Sequence, residues 1–186
     1  VQRYAINSVN SMLAAVNQFL EFLEVGNLKV KRIKVQQHPF LQEQKELTEK
    51  ECRKLIATAR AEGKEQLALC IETIACTGIR ISEIKYFTVE RVKTGKIEIY
   101  NKGKYRRIFL PKILQKKLLS YCQNNQKTEG WIFVTKNGKL KDRSNIWREM
   151  KKLKEKAGVA ESKIFPHNLR HLFARTYYED TKDIAG

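Results

Sequence analysis

No apolar run in these 186 residues approaches the ~20 needed to cross a bilayer as a helix. Mean hydropathy is negative. Both observations argue against a membrane protein. The opening Val1-Gln2-Arg3-Tyr4 lacks the charged and apolar regions of a signal peptide, and it does not begin with Met. Cysteine is sparse: Cys52, Cys70, Cys76 and Cys122 form no Cys-x-x-Cys pair, and no histidine stands near enough to complete a zinc-finger spacing. Cys52, Cys70 and Cys76 fall in helical apolar patterns and are expected to be buried, reduced thiols of a cytosolic protein. Internal repeats and low-complexity tracts are also absent. The largest deficit is of acid. Twenty Asp and Glu face 37 Lys and Arg, a formal charge of +17. Such an excess points to a polyanion, most often nucleic acid, with binding that falls steeply as salt rises.

With 42% apolar residues the chain can pack one ordinary core, with room for a piece of another. Residues 4–25 place Ile6, Val9, Leu13, Val16, Leu20 and Leu23 at threes and fours, an amphipathic helix that Gly26-Asn27 ends. That helix cannot bury its face alone. Residues 28–46 carry Lys29, Lys31, Arg32 and Lys34 and then His38-Pro39, and read as a basic interdomain linker. Thr48 and Glu51 form a capping box that opens a helix to about Ala61. Residues 65–77 form a strongly apolar second helix, and Gly78 suits a left-handed stop. Ser82-Glu83 begins a short helix through about Phe87. The period then changes to two over Lys96–Tyr100 and Tyr105–Leu110, a β-hairpin whose tip, Asn101-Lys102-Gly103-Lys104, is basic. Helices are expected over 112–124 and 143–157, the latter with Ile146, Trp147, Met150 and Leu153 inward.

The stretch Phe165–Ala174 carries the chemistry. Pro166 suits a first helical turn, where its missing N–H costs nothing. From there His167, Arg170 and His171 fall at i, i+3 and i+4 and share a face. Leu169, Leu172, Phe173 and Tyr177 supply apolar neighbours. Two imidazoles and a guanidinium make a poor core and a good cradle for a phosphodiester. The two histidines also mimic a zinc pair, but Arg170 between them would repel a cation and no general-base Glu follows His167, so no metal is expected.

Three segments in order, Thr77-Gly78-Ile79-Arg80-Ile81-Ser82-Glu83-Ile84, the hairpin tip with Arg107–Pro111 behind it, and Pro166–Ala174, resemble the tyrosine recombinase (phage integrase-like) family across about residues 45–186. The resemblance implies a mainly helical α+β catalytic domain with a small antiparallel hairpin over 47–186. It also implies that residues 1–27 are the last helix of a core-binding domain, joined through 28–46. The expected function is site-specific DNA recombination or integration. A tyrosine attacks the scissile phosphate, leaving a 3′-phosphotyrosyl link and a free 5′-hydroxyl without cofactor or metal.

That chemistry assigns roles to residues already singled out. Arg80 and Arg170 can each give bidentate hydrogen bonds to the non-bridging oxygens. Lys102 suits a general acid for the leaving 5′-oxygen, with Lys104 as competitor or backbone-phosphate contact. His167 would assist the nucleophile's proton or hydrogen-bond the phosphate. Glu83 would accept from a nearby His or Arg, and His171 either packs or touches phosphate.

Tyr177 and Tyr178 follow Arg170 by seven and eight residues and are expected to be core or interface aromatics. The family's nucleophile stands well past the corresponding arginine, after a Leu-Gly-His type motif, and the chain ends before either. The expectation is therefore a fragment that holds phosphate without its attacking group. A non-catalytic DNA-binding protein of the same fold is the alternative. A type IB topoisomerase shares the chemistry but fits the hairpin and size less well. Expected partners are double-stranded DNA, with Lys and Arg of 139–156 on its backbone, and three further copies in a tetramer. The expected location is the cytoplasm, on the bacterial nucleoid.

Overall fold

A computed structural model describes residues 4–34, 46–101 and 103–181. The chain divides into two compact units, Val1–Glu43 and Gln44–Gly186. Lys102 and much of the 28–46 segment lie outside the described residues.

In the first unit, helix α1 (Ile6–Phe22) ends at Leu23, and a 3₁₀ turn follows at Gly26–Leu28. None of its residues is buried. Asn10 and Asn17 stand two turns apart on one stripe. Each side-chain amide makes a reciprocal pair of hydrogen bonds with extended backbone, Asn10 with Ile33 at 2.8–2.9 Å and Asn17 with Val30 at 2.8 Å. The basic segment 29–34 is thus strapped along α1, a pairing that hydrophobic periodicity does not register.

The second unit is built on helix α3 (Glu65–Thr77). Leu67, Ala68, Leu69, Cys70, Ile71 and Ile74 are all buried there, and α2 (Glu49–Ala61) packs alongside. Helices α5 (Lys112–Asn124), α6 (Arg143–Lys151) and α8 (Pro166–Thr181) cover its other sides. Each fully buried Leu or Ile contributes about 1.5–3 kcal/mol. The Thr48 capping box forms: its Oγ1 accepts from the Glu51 N–H at 3.2 Å, and Glu51 Oε2 accepts from the Thr48 N–H at 2.9 Å. After α3 a 3₁₀ helix (Ile81–Tyr86) and α4 (Val89–Thr94) lead to the hairpin, β1 (Lys96–Asn101) against β2 (Lys104–Phe109). Its register pairs Ile97 with Ile108, Ile99 with Arg106, and Tyr100 with Tyr105.

Two expectations are corrected and a third is narrowed. Residues 143–157 form two helices, α6 and α7 (Lys154–Ala157), and Trp147 faces outward, 47% exposed. The inward row is Ile146, Met150, Leu153 and Ala157, spaced four, three and four; Trp147 stands a hundred degrees round from it. Cys76 is exposed, because it shares the outer stripe of α3 with Glu72, which pairs with Arg60 and Lys117. Of the two roles expected for Tyr177 and Tyr178, core or interface, their exposure removes the first, and Tyr177 stacks on Phe173 at a centroid separation of 6.0 Å. Among the described residues no helix is long and apolar enough to cross a membrane.

Candidate functional site

The site begins where α3 stops. Gly78 adopts φ 60°, ψ 20°, and its N–H donates to the Ile74 carbonyl at 2.9 Å. This left-handed residue turns the chain so that Ile79 enters the core and Arg80 emerges. Arg80 has extended backbone and precedes the 3₁₀ helix. Its N–H donates to Glu83 Oε2 at 2.7 Å, and its Nη1 donates to Glu83 Oε1 at 3.3 Å. Glu83 is 1% exposed. A buried carboxylate needs partners that satisfy its charge and its lone pairs. Here those partners are arginines, and the carboxylate fixes where the Arg80 guanidinium starts.

Helix α8 brings up the other side. Asn168 and Leu169 are buried, and that anchors the helix. His167 and Arg170, one turn apart, then point along a common edge. Arg170 donates through Nη1 to the Gly78 carbonyl. Arg80, Arg170 and His167 line one cleft of about 740 Å³, with Arg143, Trp147 and Lys151 of α6 on its far wall. Burial, then Arg80 and Arg106, push the Arg170 pKa down from its ordinary value. The His167 pKa is also lowered, first by desolvation and then by His171, Arg170 and Arg143. The His167 imidazole thus shares its cleft with the guanidiniums of Arg80, Arg143 and Arg170.

His171 shares the face of His167, as the spacing predicts, and takes the packing role. It packs edge-on to His167, with ring centroids 4.3 Å apart and planes at 79°, and lines a separate small cavity with Glu46 and Arg175. Lys104 is exposed at the start of β2. Lys102 lies outside the described residues.

The sequence reading missed Arg106. Its Nη2 donates to Glu83 Oε2, the oxygen that also accepts from the Arg80 N–H. The signal was available in the period of two. Arg106 is in phase with Ile108 and opposite Ile99, on the inner face of the hairpin, whereas Arg107 faces out and pairs with Glu98 at 3.0 Å. An arginine in an inward row requires an inward carboxylate. Trp147 was misassigned to the core and instead walls the cleft, its ring 5.5 Å from Lys151 Nζ.

Residues 45–185 match the Phage integrase family. Tyrosine recombinase XerA of Pyrococcus furiosus is 29% identical over 97% of this chain and 64% of its own length. The crystal structure of XerA recombinase superposes with a TM-score of 0.64 at 26% identity, covering 98% of this chain and 65% of that one. A XerH site-specific recombinase bound to its difH substrate shares the fold, with a TM-score of 0.63 at 23% identity over 84% of this chain and 47% of that one. The chain thus spans about 64% of the length of the Pyrococcus relative. With the family's model matching residues 45–185, about three quarters of its length, the chain belongs to the Phage integrase family.

Proposed function

We propose that this chain carries the phosphate-holding part of a site that breaks and rejoins double-stranded DNA at specific sequences. The observation that carries the reading is the convergence of Arg80 and Arg170 on one cleft, one anchored by Glu83 and the other by the Gly78 carbonyl. Two guanidiniums held from opposite sides match the two non-bridging oxygens of a phosphodiester. They favour the pentacoordinate transition state, in which those oxygens gain charge.

The reaction is a transesterification. A tyrosine hydroxyl attacks phosphorus, a phosphotyrosyl bond forms, and the bond to the 5′-oxygen breaks. Lys102 gives that oxygen its proton. Burial and the neighbouring positive groups lower the His167 pKa and so favour its unprotonated form, which accepts a proton or a hydrogen bond on the attacking side. Glu83 positions Arg80; His171 supports His167 by ring packing; Lys104 contacts DNA backbone. No tyrosine among the described residues lines the cleft, and the attacking hydroxyl comes from outside them. Strand exchange is a second, reversed transesterification: the 5′-hydroxyl of the partner strand attacks the phosphotyrosyl phosphorus, a phosphodiester forms, and the tyrosine leaves and regains its proton. Residues 1–27 serve as the end of a core-binding domain, and residues 28–46 as a basic linker along the DNA. The working assembly is a tetramer on paired sites in the cytoplasm.

The test is a suicide duplex whose nick lets the 5′-hydroxyl end diffuse away. Incubated with the product of the complete reading frame, it should trap a covalent DNA–protein adduct, and Arg170→Ala should abolish it. Undiminished adduct in that variant would refute the assignment. Tight binding with no adduct in the unmodified protein would favour a non-catalytic DNA-binding role for the same fold.

A further inference from the structure

The hairpin and the arginine turn meet at one carboxylate. Arg106 stands on β2 opposite Ile99, in the row of Ile97, Ile99 and Ile108 that faces inward. Its Nη2 donates to Glu83 Oε2. The same oxygen accepts from the Arg80 N–H at 2.7 Å, and Oε1 accepts from Arg80 Nη1 at 3.3 Å. The carboxylate is 1% exposed, so water does not compete for it. The neighbouring pair Arg107–Glu98 is half exposed on both sides and is correspondingly weak. A second tie joins the hairpin to the 3₁₀ helix without touching Glu83: Tyr86 Oη donates to the Tyr100 carbonyl at 2.7 Å.

We propose that Arg106 is a positioning residue of the phosphate cradle: it pins the hairpin onto Glu83 and so sets where that carboxylate holds Arg80. The proposal rests on the reading of the cleft as a phosphodiester site. One negative charge is shared between two guanidiniums that arrive on different elements. A phosphate in the cleft draws the Arg80 side chain toward itself and leaves more of Glu83 to Arg106. Hairpin docking and phosphate binding are thereby coupled through a single side chain. Arg106 is turned to Glu83 and acts through it.

The test uses the 186-residue chain with Arg106→Gln, Glu83→Gln, the double variant and Tyr86→Phe. Hydrogen exchange reads the hairpin amides, and fluorescence anisotropy reads affinity for a duplex of mixed sequence at fixed salt. Arg106→Gln should speed exchange in β1 and β2 by about tenfold while α5 stays protected. It should weaken duplex binding about fivefold. On the Glu83→Gln background it should add less than about twofold, because both changes break one interaction. Tyr86→Phe should loosen the hairpin without changing affinity. Losses that add fully in the double variant would make Arg106 a direct phosphate contact and overturn the proposal. So would unchanged hairpin exchange in Arg106→Gln, or Tyr86→Phe weakening binding equally. Should Arg106→Gln unfold the domain, Arg106→Lys decides. Keeping the charge, it should hold hairpin exchange within about threefold of wild type, and a fully loosened hairpin would count against the ion pair. If the unmodified chain shows no salt-dependent duplex binding, the DNA reading fails, and hydrogen exchange still tests the strut alone.

Discussion

Arg170 donates from Nη1 to the backbone carbonyl of Gly78, a residue 92 positions earlier in the chain. The same helix closes over that glycine. A Cβ at Gly78 would lie 2.3 Å from Cδ1 and 2.7 Å from Cε1 of Phe173. Gly78 therefore serves three needs at once: a left-handed turn, the close approach of α8, and an acceptor that orients an arginine.

Gly78→Ala should destabilise the domain by about 2–4 kcal/mol, combining left-handed backbone strain with a ring clash. Urea unfolding measures this. Adding Phe173→Leu should recover the clash and leave the backbone part. Full recovery would show that the φ of 60° costs an alanine nothing here.

Arg80→Ala and Arg170→Ala should each lower the slope of log affinity against log salt by about one, as expected of a phosphate contact. Arg80→Lys and Arg170→Lys should keep most of the slope but lose the bidentate geometry, and with it adduct formation in the complete protein. Anisotropy titrations across a salt series read the first effect. Gel-shift of a trapped adduct reads the second.

Trp147 and Met150 separate cleft wall from core. Met150 is fully buried, and Met150→Ala should cost about 2–5 kcal/mol. Trp147 is 47% exposed, and Trp147→Ala should cost under about 1 kcal/mol while weakening duplex binding. Equal destabilisation of the two variants would return Trp147 to the core.

The lowered His167 pKa carries a sign. Between its folded value and the ordinary imidazole value the unfolded chain binds a proton that the folded chain refuses, so stability rises with pH across that window. It is fully present above the ordinary value, about 6.5, and is lost as pH falls below it. Thermal melts of wild type and His167→Gln from neutral to mildly acid pH should diverge in that direction, with the variant flatter.

Thiol reactivity should follow burial. Cys52 and Cys70 are buried, and burial pushes their thiols up to about 12. Cys76 is exposed. Native-state alkylation followed by mass spectrometry should mark Cys76 first and reach Cys52 and Cys70 only on unfolding. Early labelling of Cys52 would show that α2 opens locally.

Local signals were legible to the extent that their causes were local. The Thr48–Glu51 capping box and the Gly78 stop depend on residues within a few positions of one another, and sequence spacing reports them directly. Helical period alone put Trp147 inward. Period defines a face only to within one residue's turn, and the neighbours decide which edge of it is covered. Arg106 was readable in principle from its phase with Ile108, but its partner Glu83 lies 23 residues away and shows no sign of burial in sequence.

By itself the sequence determined that the chain is basic, mainly helical, hairpin-bearing and equipped with arginines and a histidine suited to a phosphodiester. Charge, period and capping are properties of short segments and survive without a fold. Only the tertiary structure decided that Arg80 and Arg170 line one cleft, that the His171 ring packs on His167, and that Glu83 joins the hairpin to the arginine turn. Those relations arise because packing around α3 excludes water from Glu83, and a charge without water must take its partners from whichever elements the core brings within reach.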